Sequence, residues 1–132
     1  MSRATATTNG DANAAGFKKA LVVEDIGLIR MTTVDMLAEL GLQVAEAGDG
    51  KSALELLDSD PQINLIIADL GLPGMSGRDL VAEVRRRRPD LKIVIASGDT
   101  DDKTRSEEAL AGVVFLAKPY DFEQLQRAVL AS

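Results

Sequence analysis

Five short apolar runs, each followed by a segment of helical period, restrict this chain more than any single motif does. "KALVVED" (19–25), "LQVAEA" (42–47), "INLIIAD" (63–69), "LKIVIAS" (91–97) and "VVFLAK" (113–118) are short and rich in Val, Ile and Leu. That fits strands covered on both faces. Between them, residues 27–40 place Ile29, Thr33, Met36, Leu37 and Leu40 on one helical face, with Gly41 as the stop. "DGKSALELLDS" turns Ala53, Leu54 and Leu57 inward and closes at Asp60-Pro61. Residues 77–88 turn Leu80, Val81 and Val84 inward and stop at Pro89. A weak, acidic fourth helix is expected over about 101–110. Asp121 supplies the N-cap of a fifth, "DFEQLQRAVLA".

Five such βα units predict an α/β fold with a parallel sheet and right-handed crossovers, in the flavodoxin-like, doubly wound strand order 2-1-3-4-5. Function in such sheets gathers at the carboxyl ends of the strands. There the chain carries Glu24-Asp25 on strand one, Asp69 on strand three, Ser97 on strand four and Lys118 on strand five. Alone, Asp69 reads as a turn former or cap, and Lys118-Pro119 as an ordinary loop. In the predicted order these strands are consecutive neighbours about 5 Å apart, so the five side chains share one edge. Three crowded carboxylates repel one another and call for a counter-charge, which a divalent cation and Lys118 can supply.

The chain has no His and no Cys. That removes the usual general base, disulfides and thiolate metal sites, and leaves oxygen ligands and a hard cation. Asp69 is then the plausible nucleophile toward phosphorus. The net charge of −6 argues against direct nucleic-acid binding. Arg85 to Arg88 read as cations favouring a helix C-terminus and coating a solvated face, with partner docking as the other reading. No stretch approaches the ~20 apolar residues of a membrane span. Residues 1–17 lack the apolar segment of a secretory signal and read as a flexible tail, so the cytoplasm is the expected location. "GDGKS" (48–52) imitates a phosphate-binding loop, but the motif wants Gly where Ala45 stands.

With these residues in place, the chain from 18 to 131 resembles the receiver domain of two-component response regulators. "LVVED", "AGDGKSALELL", "IIADLGLPGMSG", "IVIASG" and "FLAKPY" carry the likeness, and "DLGLPGMSG" with a downstream "KP" is its most diagnostic part. The resemblance implies Asp69 as phosphoacceptor. It implies Glu24, Asp25, Asp69 and the backbone carbonyl of Gly71 as ligands of Mg²⁺ (or Mn²⁺). Ser97 matches the hydroxyl that contacts the phosphoryl group, Lys118 the family's lysine, and Pro119 a proline that commonly follows a cis peptide bond. Phe115 matches the aromatic switch position. The acidic pair is Glu-Asp rather than Asp-Asp, and Phe115 lacks the hydroxyl of the frequent Tyr. Gly71 and Asp99 occupy positions that resemble those tuning phosphoryl lifetime.

The implied function is a phosphorylation-dependent switch without separate substrate turnover. A sensor histidine kinase or His phosphotransfer protein would donate, and the face of helix four, strand five and helix five would change its binding to an unknown downstream protein. The alternatives are a phosphorylation-independent interaction module with the same fold, or a relay receiver excised from a hybrid kinase. The Met1 tail and the end at Ser132 suggest a stand-alone receiver (tail 1–17, domain 18–132). A phosphatase built on the same nucleophile would want a second Asp where Gly71 stands.

Overall fold

The structure, a computed structural model, describes residues 15–98 and 107–131. Its strands are β1 (Lys19–Val23), β2 (Gln43–Ala47), β3 (Ile63–Asp69), β4 (Lys92–Ser97) and β5 (Val114–Ala117), all parallel in the order β2-β1-β3-β4-β5. The helices are α1 (Gly27–Glu39), α2 (Gly50–Ser59), α3 (Gly77–Arg87) and a C-terminal helix (Phe122–Leu130). The predicted α/β order is therefore the observed one. The helix expected over 101–110 falls largely on residues 99–106, outside the described residues; its end is a 3₁₀ turn, Glu108–Leu110. Most of the tail assigned to 1–17 also lies outside them, while Phe17 already packs on the core.

Alternation along the strands divides the core into two layers. Ala20, Val22, Leu65, Ile67, Val94 and Leu116 face α1 and the C-terminal helix, meeting Leu37, Leu40, Leu125 and Val129. Leu21, Val23, Ile66, Ala68 and Ile95 face α2 and α3, meeting Leu54, Leu57, Leu80 and Val84. Each fully buried aliphatic side chain contributes about 1.5–3 kcal/mol. With so few aromatics the layers rest on Leu, Ile and Val. Helix starts are capped locally: Asp49 accepts from the Ser52 N–H at 2.7 Å, and Ser76 from that of Asp79 at 3.1 Å. At the C-terminal helix, Asp121 and Gln124 cap each other's backbone N–H groups.

The arginine run at the end of α3 does more than coat a solvated face. Arg88 donates to the carbonyls of Leu57, Pro61 and Ile63, closing α2, the turn after it and the start of β3 onto α3. Arg85 reaches the carbonyls of Ala109 and Ala111 on the approach to β5. Arg87 pairs with Asp58 at 2.7 Å and with Glu83 at 3.3 Å. Arg86, bonded to Glu83 and mostly exposed, is the member that fits the sequence reading. The run stitches three elements together at the edge of the sheet where the strands begin.

At the opposite edge, the loop from β3 to α3 folds tightly on itself. The Gly77 N–H donates to the Leu70 carbonyl at 2.8 Å, and a Cβ on Gly77 would lie 2.6 Å from the Leu70 Cα. Only glycine permits that approach. Gly74, at φ +78°, turns the loop back. Asp69 is thereby left at the end of the central strand, with the chain curled away from it.

Candidate functional site

Strand register decides which side chains meet. Val23 pairs with Ala68, so Glu24, the next residue, comes level with Asp69. Asp69 pairs with Ala96, and Ser97 with Ala117, which brings Lys118 to the same edge. β1 ends at Val23 rather than running to Asp25, and Glu24 stays tied to the sheet through its N–H to the Ala47 carbonyl at 3.0 Å. The Lys118 N–H donates to the Ser97 carbonyl at 2.9 Å, fastening the end of β5 in the same way.

The carboxylates of Glu24, Asp25 and Asp69 offer oxygens that all lie within 4.8 Å of one another. Among the described residues one ammonium enters this group: Lys118 Nζ stands 3.1 Å from Glu24 Oε1 and 3.4 Å from Asp69 Oδ2. Glu24 is buried, Lys118 and Asp69 are mostly so, and Asp25 is exposed at the mouth. Burial pulls the Lys118 ammonium toward a lower pKa. The hydrogen bond to Glu24 and the charges of Asp69 and Glu24 more than offset that, and the net shift is upward. One cation among three carboxylates leaves an excess of negative charge in a partly desolvated pocket. An all-oxygen set of this kind suits a hard divalent cation, so the residues present fit such an ion.

The second Glu24 oxygen accepts from the Ile26 N–H at 3.2 Å, and Asp69 Oδ1 from the Gly71 N–H at 3.3 Å. Each carboxylate is thus oriented by the backbone just after it. The Lys118-Pro119 peptide is cis. Ser97, buried at the end of β4, shares the strand edge but by alternation belongs to the α2/α3 face, unlike Glu24, Asp69 and Lys118. Phe115 lies on that same face, half-buried against the core and paired with Ile95, two residues before Ser97.

Two further groups support the site that sequence reasoning left aside. Arg30 donates to the Glu24 carbonyl at 2.7 Å and to Glu46 at 3.2 Å, tying α1 to the ends of β1 and β2. Tyr120, known from the sequence only as the end of "FLAKPY", reaches Thr33 on α1 with its hydroxyl at 2.6 Å. A groove of about 450 Å³ runs beside this contact, lined by Leu28, Ile29, Met36, Pro119 and Tyr120 and reaching Lys118. Ile26, Leu28 and Met31 are exposed next to it. No helix among the described residues is long and apolar enough to cross a membrane.

Known proteins resemble this chain in sequence and fold. The chain is 34% identical over 117 residues to the sensor kinase CckA of Brucella abortus, covering 87% of this chain and 12% of that one. It is 31% identical over 115 residues to the chemotaxis protein CheY of Pseudomonas aeruginosa, covering 84% of this chain and 92% of that one. It spans 23 to 58% of the length of three further relatives, the transcriptional regulatory protein PdtaR, the two-component response regulator PhoP and the DNA-binding transcriptional regulator NtrC. The crystal structure of the response regulator TrrA of Thermotoga maritima, in complex with Mg²⁺–BeF, superposes with a TM-score of 0.76 at 29% identity, covering 85% of this chain and 96% of that one. The family model described as "Response regulator receiver domain" matches residues 20–130, nearly all of the βα succession, and the chain belongs to that family of two-component signalling switches.

Proposed function

We propose that this receiver takes a phosphoryl group from a phosphohistidine donor onto Asp69 and changes its protein contacts in response. The observation that carries the reading is the grouping of Glu24, Asp25 and Asp69 around the single ammonium of Lys118. Glu24, Asp25, Asp69 and the backbone carbonyl of Gly71 would hold Mg²⁺ or Mn²⁺, whose charge, when bound, offsets that of the phosphoryl oxygens. In the transfer, a carboxylate oxygen of Asp69 bonds to phosphorus as the donor's N–P bond breaks. The imidazole nitrogen keeps the electron pair and takes up a proton from water, and Asp69 is left as an acyl phosphate. Lys118, already poised between Glu24 and Asp69, pairs with a phosphoryl oxygen.

Ser97 is the hydroxyl that follows the phosphoryl group, and Phe115 the side chain that moves with it. Their common sheet face, two residues apart on paired strands, supports that coupling. Output in this reading leaves through the face of helix four, strand five and helix five, of which residues 101–106 lie outside the described residues, and Phe115, Gln124 and Arg127 line one cavity on the described part. The donor is a sensor histidine kinase or a His phosphotransfer protein, since this chain has no His of its own. The target is a protein rather than nucleic acid, in keeping with the net charge of −6. The switch comprises residues 18–132 and works in the cytoplasm.

Incubation with Mg²⁺ and acetyl phosphate is expected to add one phosphate that Asp69→Ala abolishes. Absence of any Asp69-dependent phosphate would sink the reading. Partner binding that ignores Mg²⁺ with beryllofluoride would instead favour a phosphorylation-independent module.

A further inference from the structure

The loop that carries Lys118 is fastened at three points. Its start is held by the Lys118 N–H on the Ser97 carbonyl, and its end by the Asp121–Gln124 capping box. Between them, Tyr120 crosses to α1. Thr33, whose residue is 1% exposed, donates its hydroxyl proton to the Ile29 carbonyl at 2.9 Å. Having spent its only proton there, Thr33 Oγ1 can only accept at Tyr120. The chain of bonds is therefore directed: Tyr120 O–H to Thr33 Oγ1, and Thr33 O–H to Ile29 C=O. Burial raises the Tyr120 pKa, which keeps the phenol protonated and the donor in place.

We infer that Tyr120 is a positioning residue that acts through Lys118: its bond to Thr33 ties the loop to α1 and so holds the ammonium over Glu24 and Asp69. Lys118 is two residues upstream of this anchor, and its long side chain has no rigid fork of its own to fix its direction. The precision of the ammonium therefore depends on how firmly its backbone is held. α1 begins just beyond Glu24 and Asp25, so the bond fastens the lysine loop to the helix that follows the acids it must face. The inference rests on the proposed phosphoacceptor role for its kinetic consequence, but not for its geometric one.

Two readouts separate these. The first is the reactivity of Lys118 toward acetic anhydride at trace level, measured by peptide mass spectrometry and needing no phosphodonor. Y120F and T33V are expected to raise it several-fold, whereas T33S, which keeps the hydroxyl, holds the wild-type value. Unchanged Lys118 reactivity in Y120F and T33V overturns the inference whatever the phosphorylation result. The second is labelling by acetyl phosphate with Mg²⁺, expected to slow roughly tenfold in Y120F and T33V, a size consistent with a misplaced catalytic group. The double variant is expected to be no slower than either single one. In a K118A background Y120F should cost nothing more; an equal loss there would show that Tyr120 acts on something other than Lys118 and would overturn the inference. Failure of the wild type to label at all would count against the phosphoacceptor reading and leave the Lys118 reactivity to decide this one.

Discussion

Charge is handled in opposite ways at the two edges of the sheet. Where the strands begin, Arg85, Arg87 and Arg88 each find carbonyls or carboxylates within the chain, and Lys19 pairs with Asp60 at 2.5 Å. Where the strands end, three carboxylates share one ammonium. The first edge spends most of its charge inside the chain and holds elements together. The second is left with excess negative charge that a cation can offset. Density of charge alone does not mark a functional site; an internal imbalance does.

The comparison should break hardest at Asp69, whose replacement by Ala removes the proposed nucleophile, and next at Lys118. Lys118→Ala is expected to slow labelling by acetyl phosphate about 10²-fold, as loss of a transition-state charge does. It also leaves three carboxylates facing one another. The rise in thermal midpoint on adding Mg²⁺ should therefore be larger in this variant than in the wild type. An equal rise would mean that Lys118 does not offset that repulsion.

The starting edge should answer differently. Arg88→Ala frees the carbonyls of Leu57, Pro61 and Ile63, and is expected to lower unfolding free energy by about 1–3 kcal/mol in urea titrations. Labelling of the folded protein should persist. A labelling defect without a stability loss would move Arg88 into the switch. Arg86→Ala, at an exposed pair, should stay within about 0.5 kcal/mol of the wild type.

Asp60 supplies a smaller, pH-dependent test. The hydrogen bond from Lys19 comes first among the causes that hold its carboxyl below the usual range. A depressed folded-state pKa adds stability above the unfolded value of about 4, and that increment is lost as the pH falls through the folded value. Asp60→Asn should thus be less stable than the wild type near neutrality and converge with it in acid. A gap that persists unchanged at low pH would assign the loss to packing instead.

Much of this was legible in the residues because the fold is written in periodicity. Apolar runs marked five strands, and their terminal residues placed Glu24, Asp69, Ser97 and Lys118 at one edge. The ends of strands were less legible. β1 stops at Val23, level with the end of β2 at Ala47, while β3 runs one residue past its Ala68 partner to Asp69, and no local signal in "VVED" carries that. The arginine stitches were invisible because their acceptors are backbone carbonyls that any residue offers, 24 to 31 positions away. The Thr33–Tyr120 bond joins residues 87 apart, Thr33 read only as part of an apolar helix face and Tyr120 only as the end of "FLAKPY".

The pair of Glu24 and Lys118 is separated by 94 positions. A ribosome therefore delivers all the acids of this site long before it delivers their counter-ion. Until the final strand docks, Glu24 and Asp69 can approach each other only at the expense of mutual repulsion, which discourages premature closure of β1 on β3 near their ends. Arrival of β5 eases that penalty, so the last strand to be made is also the one that brings the centre its counter-charge. A chain cut short before residue 118 could keep most of its hydrophobic layers and still lack the charge that lets its acids lie together.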